Sequence, residues 1–293
     1  MGTPLRVAGF LGLLAVVLAA GLGVGRAVGP IDVESAAHGD GHAAEPATTG
    51  AARAAGLEST SAGYTLHLVD AQLDAGPATL RFHVRGPDGS AVTSYDVQHD
   101  KELHLIVVRR DLTGFQHVHP VRAADGTWSV DVDLTPGVWR VLADTAPADG
   151  EPVVLGADLT VPGDLVPQPL GAQSLRASVD GYDVTLGGLL RAGTGTELAL
   201  TVARGGEPVT DLEPYLGAAG HLVALRAGDL GYLHVHPEED GGSGPVVRFH
   251  TAFPSPGTYR LFLDFQHGGV VRTAVFTVEV EGGTAQEGAS HEH

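Results

Sequence analysis

The feature that most limits what this chain can fold into is an internal duplication. Residues 92–120 align with residues 209–237 at a constant offset of 117, without a gap. Ten of those 29 positions are identical: Val92, Thr93, His104, Leu105, Arg109, Gly114, His117, Val118, His119 and Pro120 against Val209, Thr210, His221, Leu222, Arg226, Gly231, His234, Val235, His236 and Pro237. Beyond this block the offset is 120: Pro136-Gly137, Arg140 and Asp144 recur as Pro256-Gly257, Arg260 and Asp264. Gly63-Tyr64 opens one copy and Gly181-Tyr182 the other. A repeat of this length is one independently cored unit present twice.

Each copy reads as short apolar runs between turn residues, which predicts an all-β unit. In the first copy the expected strands are 64–69, 79–85, 103–109, 115–119, 127–134, 138–144 and 153–161; in the second they are 183–186, 197–203, 221–226, 232–236, 246–253, 259–265 and 270–280. Seven strands in about 100 residues predict an immunoglobulin-like or cupredoxin-like β-sandwich. The Gly count of 42 and Pro count of 18 supply the turns such a fold needs. The expected domains are 63–162 and 175–280, joined by a semi-rigid linker over 163–174 that contains Pro167 and Pro169.

Three of the retained residues in each copy are histidines. The strand 103–109 and the segment 115–119 read as a hairpin. A turn centred between Asp111 and Leu112 puts His104 opposite His119, and His117 shares the face of His119 because strand side chains alternate. Neighbours on that face lie roughly 5 Å apart across strands and roughly 7 Å on the diagonal, close enough for imidazoles to converge on one cation. About a turn at Gly228-Asp229, His221, His234 and His236 repeat the construction. Asp144 and Asp264 are the expected fourth ligands, or carboxylates that orient a ligating ring. Arg140 and Arg260 are their nearby partners in sequence, which leaves a structural role open as well. His250 and His267 lack counterparts and are secondary candidates, while His67, His83 and His99 read as surface residues. The alternative is that the trios are hydrogen-bonded structural residues.

Composition narrows the chemistry. There is no cysteine, and Met1 is the only methionine. Disulfides, thiolate sites, cysteine nucleophiles and a blue-copper centre are therefore excluded. Imidazole with carboxylate suits Cu(II), Zn(II) or Ni(II), and copper is favoured by affinity order where it is available. A net charge of -18 repels nucleic acid. No nucleophile motif, Gly-rich phosphate loop or evident base accompanies the histidines.

The N-terminus carries an uncharged run from Val7 to Gly25 between Arg6 and Arg26. As a helix it spans roughly 28 Å, close to a hydrocarbon core. Residues 1–29 therefore read as an uncleaved anchor or a cleaved signal peptide. Either places the rest outside the cytoplasm, membrane-anchored or secreted. Residues 30–62 read as a flexible stalk, and 281–293 as a disordered tail ending Ser290-His291-Glu292-His293.

The segments Gly220-His221-Leu222, Tyr232-Leu233-His234-Val235-His236-Pro237 and Phe253-Pro254-Ser255-Pro256-Gly257-Thr258-Tyr259 resemble a family of bacterial extracytoplasmic immunoglobulin-like domains described as heavy-metal-associated or copper-handling. The resemblance covers the second copy and, through His104 and Phe115 to Pro120, the first. It implies the sandwich fold and a metal-related role mapped onto His104, His117, His119, His221, His234 and His236. Copy one departs where Leu134-Thr135-Pro136 replaces the Phe-Pro-Ser-Pro run. Three functions follow as expectations. The first is an extracytoplasmic module that buffers, carries or senses Cu(II) or Zn(II), with one three-histidine site per domain. The second is a non-catalytic immunoglobulin-like module that binds an extracytoplasmic protein partner. The third is a hydrolase using metal-bound water.

Overall fold

The computed structural model describes residues 54–233, 235–238 and 242–282; for His236 it describes the backbone alone. The expected N-terminal segment 1–29, most of the stalk, His234 and the tail from residue 283 lie outside the described residues. Among the described residues no helix is long and apolar enough to cross a membrane.

The first repeat consists of β1 (Thr60–Ser61), β2 (Tyr64–Leu68), β3 (Gly76–Arg85), β4 (Tyr95–Asp96), β5 (Leu103–Arg109), β6 (Gln116–Val118), β7 (Val121–Arg122), β8 (Trp128–Leu134), β9 (Gly137–Pro147) and β10 (Val153–Val161). The second consists of β11 (Arg176–Val179), β12 (Tyr182–Gly188), β13 (Gly195–Arg204), β14 (Glu207–Pro208), β15 (His221–Arg226), β16 (Tyr232–Leu233), β17 (His236–Pro237), β18 (Val246–Ala252), β19 (Gly257–His267) and β20 (Val270–Val280). The strands that sequence reading misses, β1, β4, β7, β11 and β14, have two to four residues each, too short to show a period. The expected strand 232–236 is broken: β16 pairs with β15, whereas His236 pairs with His250 in the other sheet.

Each repeat is two antiparallel sheets closed over a core. In the first, the order β1-β2-β3-β8-β7 faces β10-β9-β5-β6, with β4 added beside β9; in the second, β11-β12-β13-β18-β17 faces β16-β15-β19-β20, with β14 beside β13. Leu80, Phe82, Leu105, Val107, Trp128 and Trp139 fill the first core. Leu200, Leu222, Phe249, Tyr259, Leu263 and Phe265 fill the second. The Pro-Gly corner works alike in both. Trp139 donates its indole N–H to the Thr135 carbonyl at 2.8 Å, and Tyr259 its O–H to the Ser255 carbonyl at 2.9 Å. A ring anchored to backbone a few residues upstream at such a corner is an immunoglobulin-fold device.

A third apolar cluster joins the repeats. Ile106, Val108, Leu112 and Leu142 of the first pack with Val223, Leu225, Leu230, Tyr232 and Phe262 of the second. The rings of Phe115 and Phe262 stack at a centroid distance of 3.9 Å, 5° from parallel. Strand alternation accounts for this. On β5, Leu105 and Val107 point into the sandwich, so His104, Ile106 and Val108 point out of it; on β19, Phe262 and Asp264 point out while Leu263 and Phe265 point in. The β5 and β15 sheets are thus covered on both faces, which explains why every residue of β5 is buried.

Candidate metal centre

The histidines lie at one end of this shared face. In the β5–β6 hairpin Leu105 opposes Val118 and Ile106 opposes His117, the register that a turn centred between Asp111 and Leu112 produces. Gly114 closes the turn at φ 64°. A Cβ there would stand 2.5 Å from the Trp139 ring, so no other residue fits. Arg109 ties the turn to the Pro-Gly corner through bonds to Asp111, the Thr135 hydroxyl and the Pro136 carbonyl. Arg226 does the same with Asp229 and Ser255. This is the reason both copies keep that arginine.

His104, His117 and His119 converge: one ring nitrogen of each lies within 4.8 Å of the other two. The tautomers follow from their partners. His104 Nε2 donates to the Gln98 carbonyl at 3.0 Å, which leaves a lone pair on Nδ1. His117 Nδ1 donates to the Asp264 carboxylate at 2.8 Å, which fixes the ring with Nε2 toward His104. His104 Nδ1 and His117 Nε2 lie 3.2 Å apart, within hydrogen-bond reach. His119 Nε2 is buried with no hydrogen-bond partner. Burial lowers His104 to about 4, partly countered by its bond to Gln98, and lowers His119 to about 3, helped by repulsion from His117. Both rings are therefore neutral near pH 7, the state a ligand must have.

The second repeat contributes across the boundary. Asp264, 2% exposed, belongs to β19 yet accepts from His117 of the first repeat, while its other oxygen accepts from the Thr273 hydroxyl. Asp144 stands opposite His104 in the β5–β9 ladder, as Asp264 stands opposite His221 in β15–β19. Its carboxylate accepts from Tyr232 of the second repeat at 2.8 Å. Arg140, its expected neighbour, instead binds Asp158 and the carbonyls of Gly56 and Leu57. No bond between Arg260 and Asp264 occurs among those described; the Arg260 Nε is buried without a partner.

His221 Nε2 donates to the Leu216 carbonyl at 3.2 Å, freeing Nδ1. Its ring centre is 5.9 Å from that of His104 and 6.1 Å from that of His117. Burial, then repulsion from His117, lowers it to about 3. His221 thus lies beside the first copy's trio. His234 and the His236 side chain lie outside the described residues.

His99 was not legible as a site residue. It is exposed, but its ring centre is 5.2 Å from that of His221, and it lines the same small cavity. It sits at φ 48° with Asp100 at 62°, in a two-residue turn closed by Gln98 and Lys101; Leu216 and Gly217 form the matching turn. Those turns supply the carbonyls of Gln98 and Leu216. The turn-favouring Asp100 and Gly217, at matched positions of the two copies, were the available signal. His67 and His83 stay outside the cluster, with His83 bonded to Thr127. His250 pairs with Glu238, and His267 bridges Tyr182 and Asp211.

These two sandwiches and their shared face define a tandem β-repeat protein. The chain belongs to the family described as domain of unknown function DUF8832, which matches it twice, over residues 59–163 and 177–282. No curated protein matches it. Among solved structures it is similar to a DUF4426 family protein from Pseudomonas aeruginosa, at 14% identity and a TM-score of 0.29, covering 36% of this chain and 96% of that one. The Escherichia coli adhesin FdeC is 16% identical with a TM-score of 0.24, covering 76% of this chain and 65% of that one. InvD of Yersinia pseudotuberculosis is 11% identical with a TM-score of 0.24, covering 78% and 61%. The chain spans less than two thirds of the latter two structures.

Proposed function

We propose that this protein is an extracytoplasmic metal-binding protein that buffers, carries or senses Cu(II) or Zn(II) through His104, His117 and His119. The carrying observation is the convergence of one ring nitrogen each from His104, His117 and His119, all within 4.8 Å of one another, with His104 Nδ1 and His117 Nε2 3.2 Å apart. A shared proton joins only two nitrogens, whereas three converging donors suit a cation. Metal–nitrogen bonds of about 2.0–2.1 Å in a tetrahedral shell separate the nitrogens by about 3.3 Å, close to the 3.2 Å between His104 Nδ1 and His117 Nε2. The His117–Asp264 bond is the arrangement by which a carboxylate orients a ligating imidazole. The apolar run at residues 7–25 and its flanking arginines support an extracytoplasmic position, anchored or secreted. The two-sheet repeats with their anchored corners support an immunoglobulin-like domain of the heavy-metal-associated type.

Calorimetric titration of the full chain with Cu(II) and with Zn(II) tests this, with excess glycine present to compete with weak sites in the His-containing tails. High-affinity binding that disappears in the His117→Ala, His119→Ala double variant is expected. Binding that persists in that variant would place the metal elsewhere. No binding by the wild type would leave the histidines as a polar knot between two interaction domains.

A further inference from the structure

We infer that the two repeats share one cation, held between them, with His221 as the fourth nitrogen donor and Asp264 as the residue that positions His117. This rests on the metal-binding reading above and adds to it that the binding unit is the pair of repeats. Four observations carry it. The acceptor for His117 Nδ1 comes from the other repeat, at 2.8 Å, between side chains only 4% and 3% exposed. His221 commits Nε2 to the Leu216 carbonyl just as His104 commits Nε2 to that of Gln98, so the same nitrogen, Nδ1, is left over in both. The ring of His221 lies alongside that of His104, tilted by 24°. Between the repeats lies a cavity of about 30 Å³ lined by His99, His104, His117, Asp144, His221 and Tyr232. That is room for one ion or one to two waters, in polar surroundings.

His221 stands just beyond the trio, so its coordination draws the second repeat a short way toward the first. A bound cation then acts as a clasp across an interface that is otherwise mainly apolar, with the Tyr232–Asp144 hydrogen bond beside it. The centre is composite: the first repeat supplies His104, His117 and His119, and the second supplies His221 and the carboxylate that positions His117.

The test uses the full chain with Cu(II) and Zn(II) as probes. The wild type is expected to bind one cation tightly. Asp264→Asn, which keeps the size but loses the charge, should weaken binding by about 10–100-fold. Thr273→Val, which leaves the other carboxylate oxygen of Asp264 without its hydroxyl, should weaken it less, and serves if Asp264→Asn fails to fold. His221→Gln should weaken binding by at least tenfold and remove one nitrogen from the superhyperfine pattern of the Cu(II) resonance spectrum. A merely structural residue would leave that pattern unchanged. His67→Ala, at an exposed site, should bind as wild type. The shared centre is overturned if two tight cations bind per chain, or if His221→Gln keeps the wild-type spectrum and affinity while the His117, His119 double variant binds nothing. In that second case the metal-binding reading survives. Absence of tight binding in the wild type overturns both.

Discussion

Phe262 and Phe265 lie three residues apart on β19 and point in opposite directions, which makes them a test of how the repeats are held together. Phe262 stacks on Phe115 across the boundary, and Phe265 packs on Tyr182 within the second core. Burying a phenylalanine contributes about 1.5–3 kcal/mol, and a well-placed ring pair adds about 0.5–1.5 kcal/mol. Phe262→Ala should therefore cost about 3–4 kcal/mol, taken from the interface and not from either sandwich. Both tryptophans, Trp128 and Trp139, are in the first repeat, so their fluorescence follows that repeat alone while far-ultraviolet circular dichroism follows both. In the wild type the two denaturant transitions should coincide, because the repeats unfold as one unit. In Phe262→Ala they should separate, with each sandwich still cooperative. Phe265→Ala should instead lower the dichroism midpoint by unfolding the second repeat first. Coincident transitions in Phe262→Ala at an unchanged midpoint would refute the claim that this stacked face couples the repeats.

Acid should weaken the metal-free protein. His104, His119 and His221 titrate at about 4, 3 and 3 when folded, below the ordinary 6.5, so in that window the unfolded chain binds more protons. The stability is fully present above about 6.5 and falls as pH drops toward about 4, by up to about 1.4 kcal/mol per pH unit for each ring; a denaturation midpoint that is flat across this range would contradict it. Gly114→Ala should destabilise by about 2–4 kcal/mol, from the positive φ and the overlap with Trp139, read as a lowered melting temperature. Arg109→Ala should cost about 2–3 kcal/mol, because it leaves the half-buried turn carboxylate of Asp111 without its charge partner, and Arg226→Ala should cost somewhat less because Asp229 is more exposed.

Much of this arrangement can be read from the residues. The duplication, the principal strands of each copy apart from 232–236, and the hairpin register that brings His104, His117 and His119 to one face follow from turn position and alternation. The partner of the site does not. Asp264 was assigned by its place in the repeat, and nothing local says that its hydrogen-bond partner is His117 of the other copy. One signal was present and went unused. Leu103–Arg109 and His221–Arg226 are apolar on both faces, while Trp128–Leu134 alternates with Ser129, Asp131 and Asp133. A strand with no polar face needs a cover on each side, and for this chain the cover is the other repeat. The aspartates could not be assigned from sequence distance to arginine, since Arg140 reaches across its strand pair to Asp158 and to a segment more than eighty residues upstream.

The contacts between the repeats draw on matched positions: Asp264 of the second accepts from His117 of the first, Asp144 of the first accepts from Tyr232 of the second, and the Asp100 turn faces its counterpart Gly217. Such exchange is the signature of a two-fold homodimer. The chain has the form of a two-fold dimer with its halves joined end to end. The halves differ at the contact itself: Phe115 stands where the counterpart is Tyr232, and Leu142 where the other half has Phe262. Separating the halves would expose on each the apolar face that the other now covers.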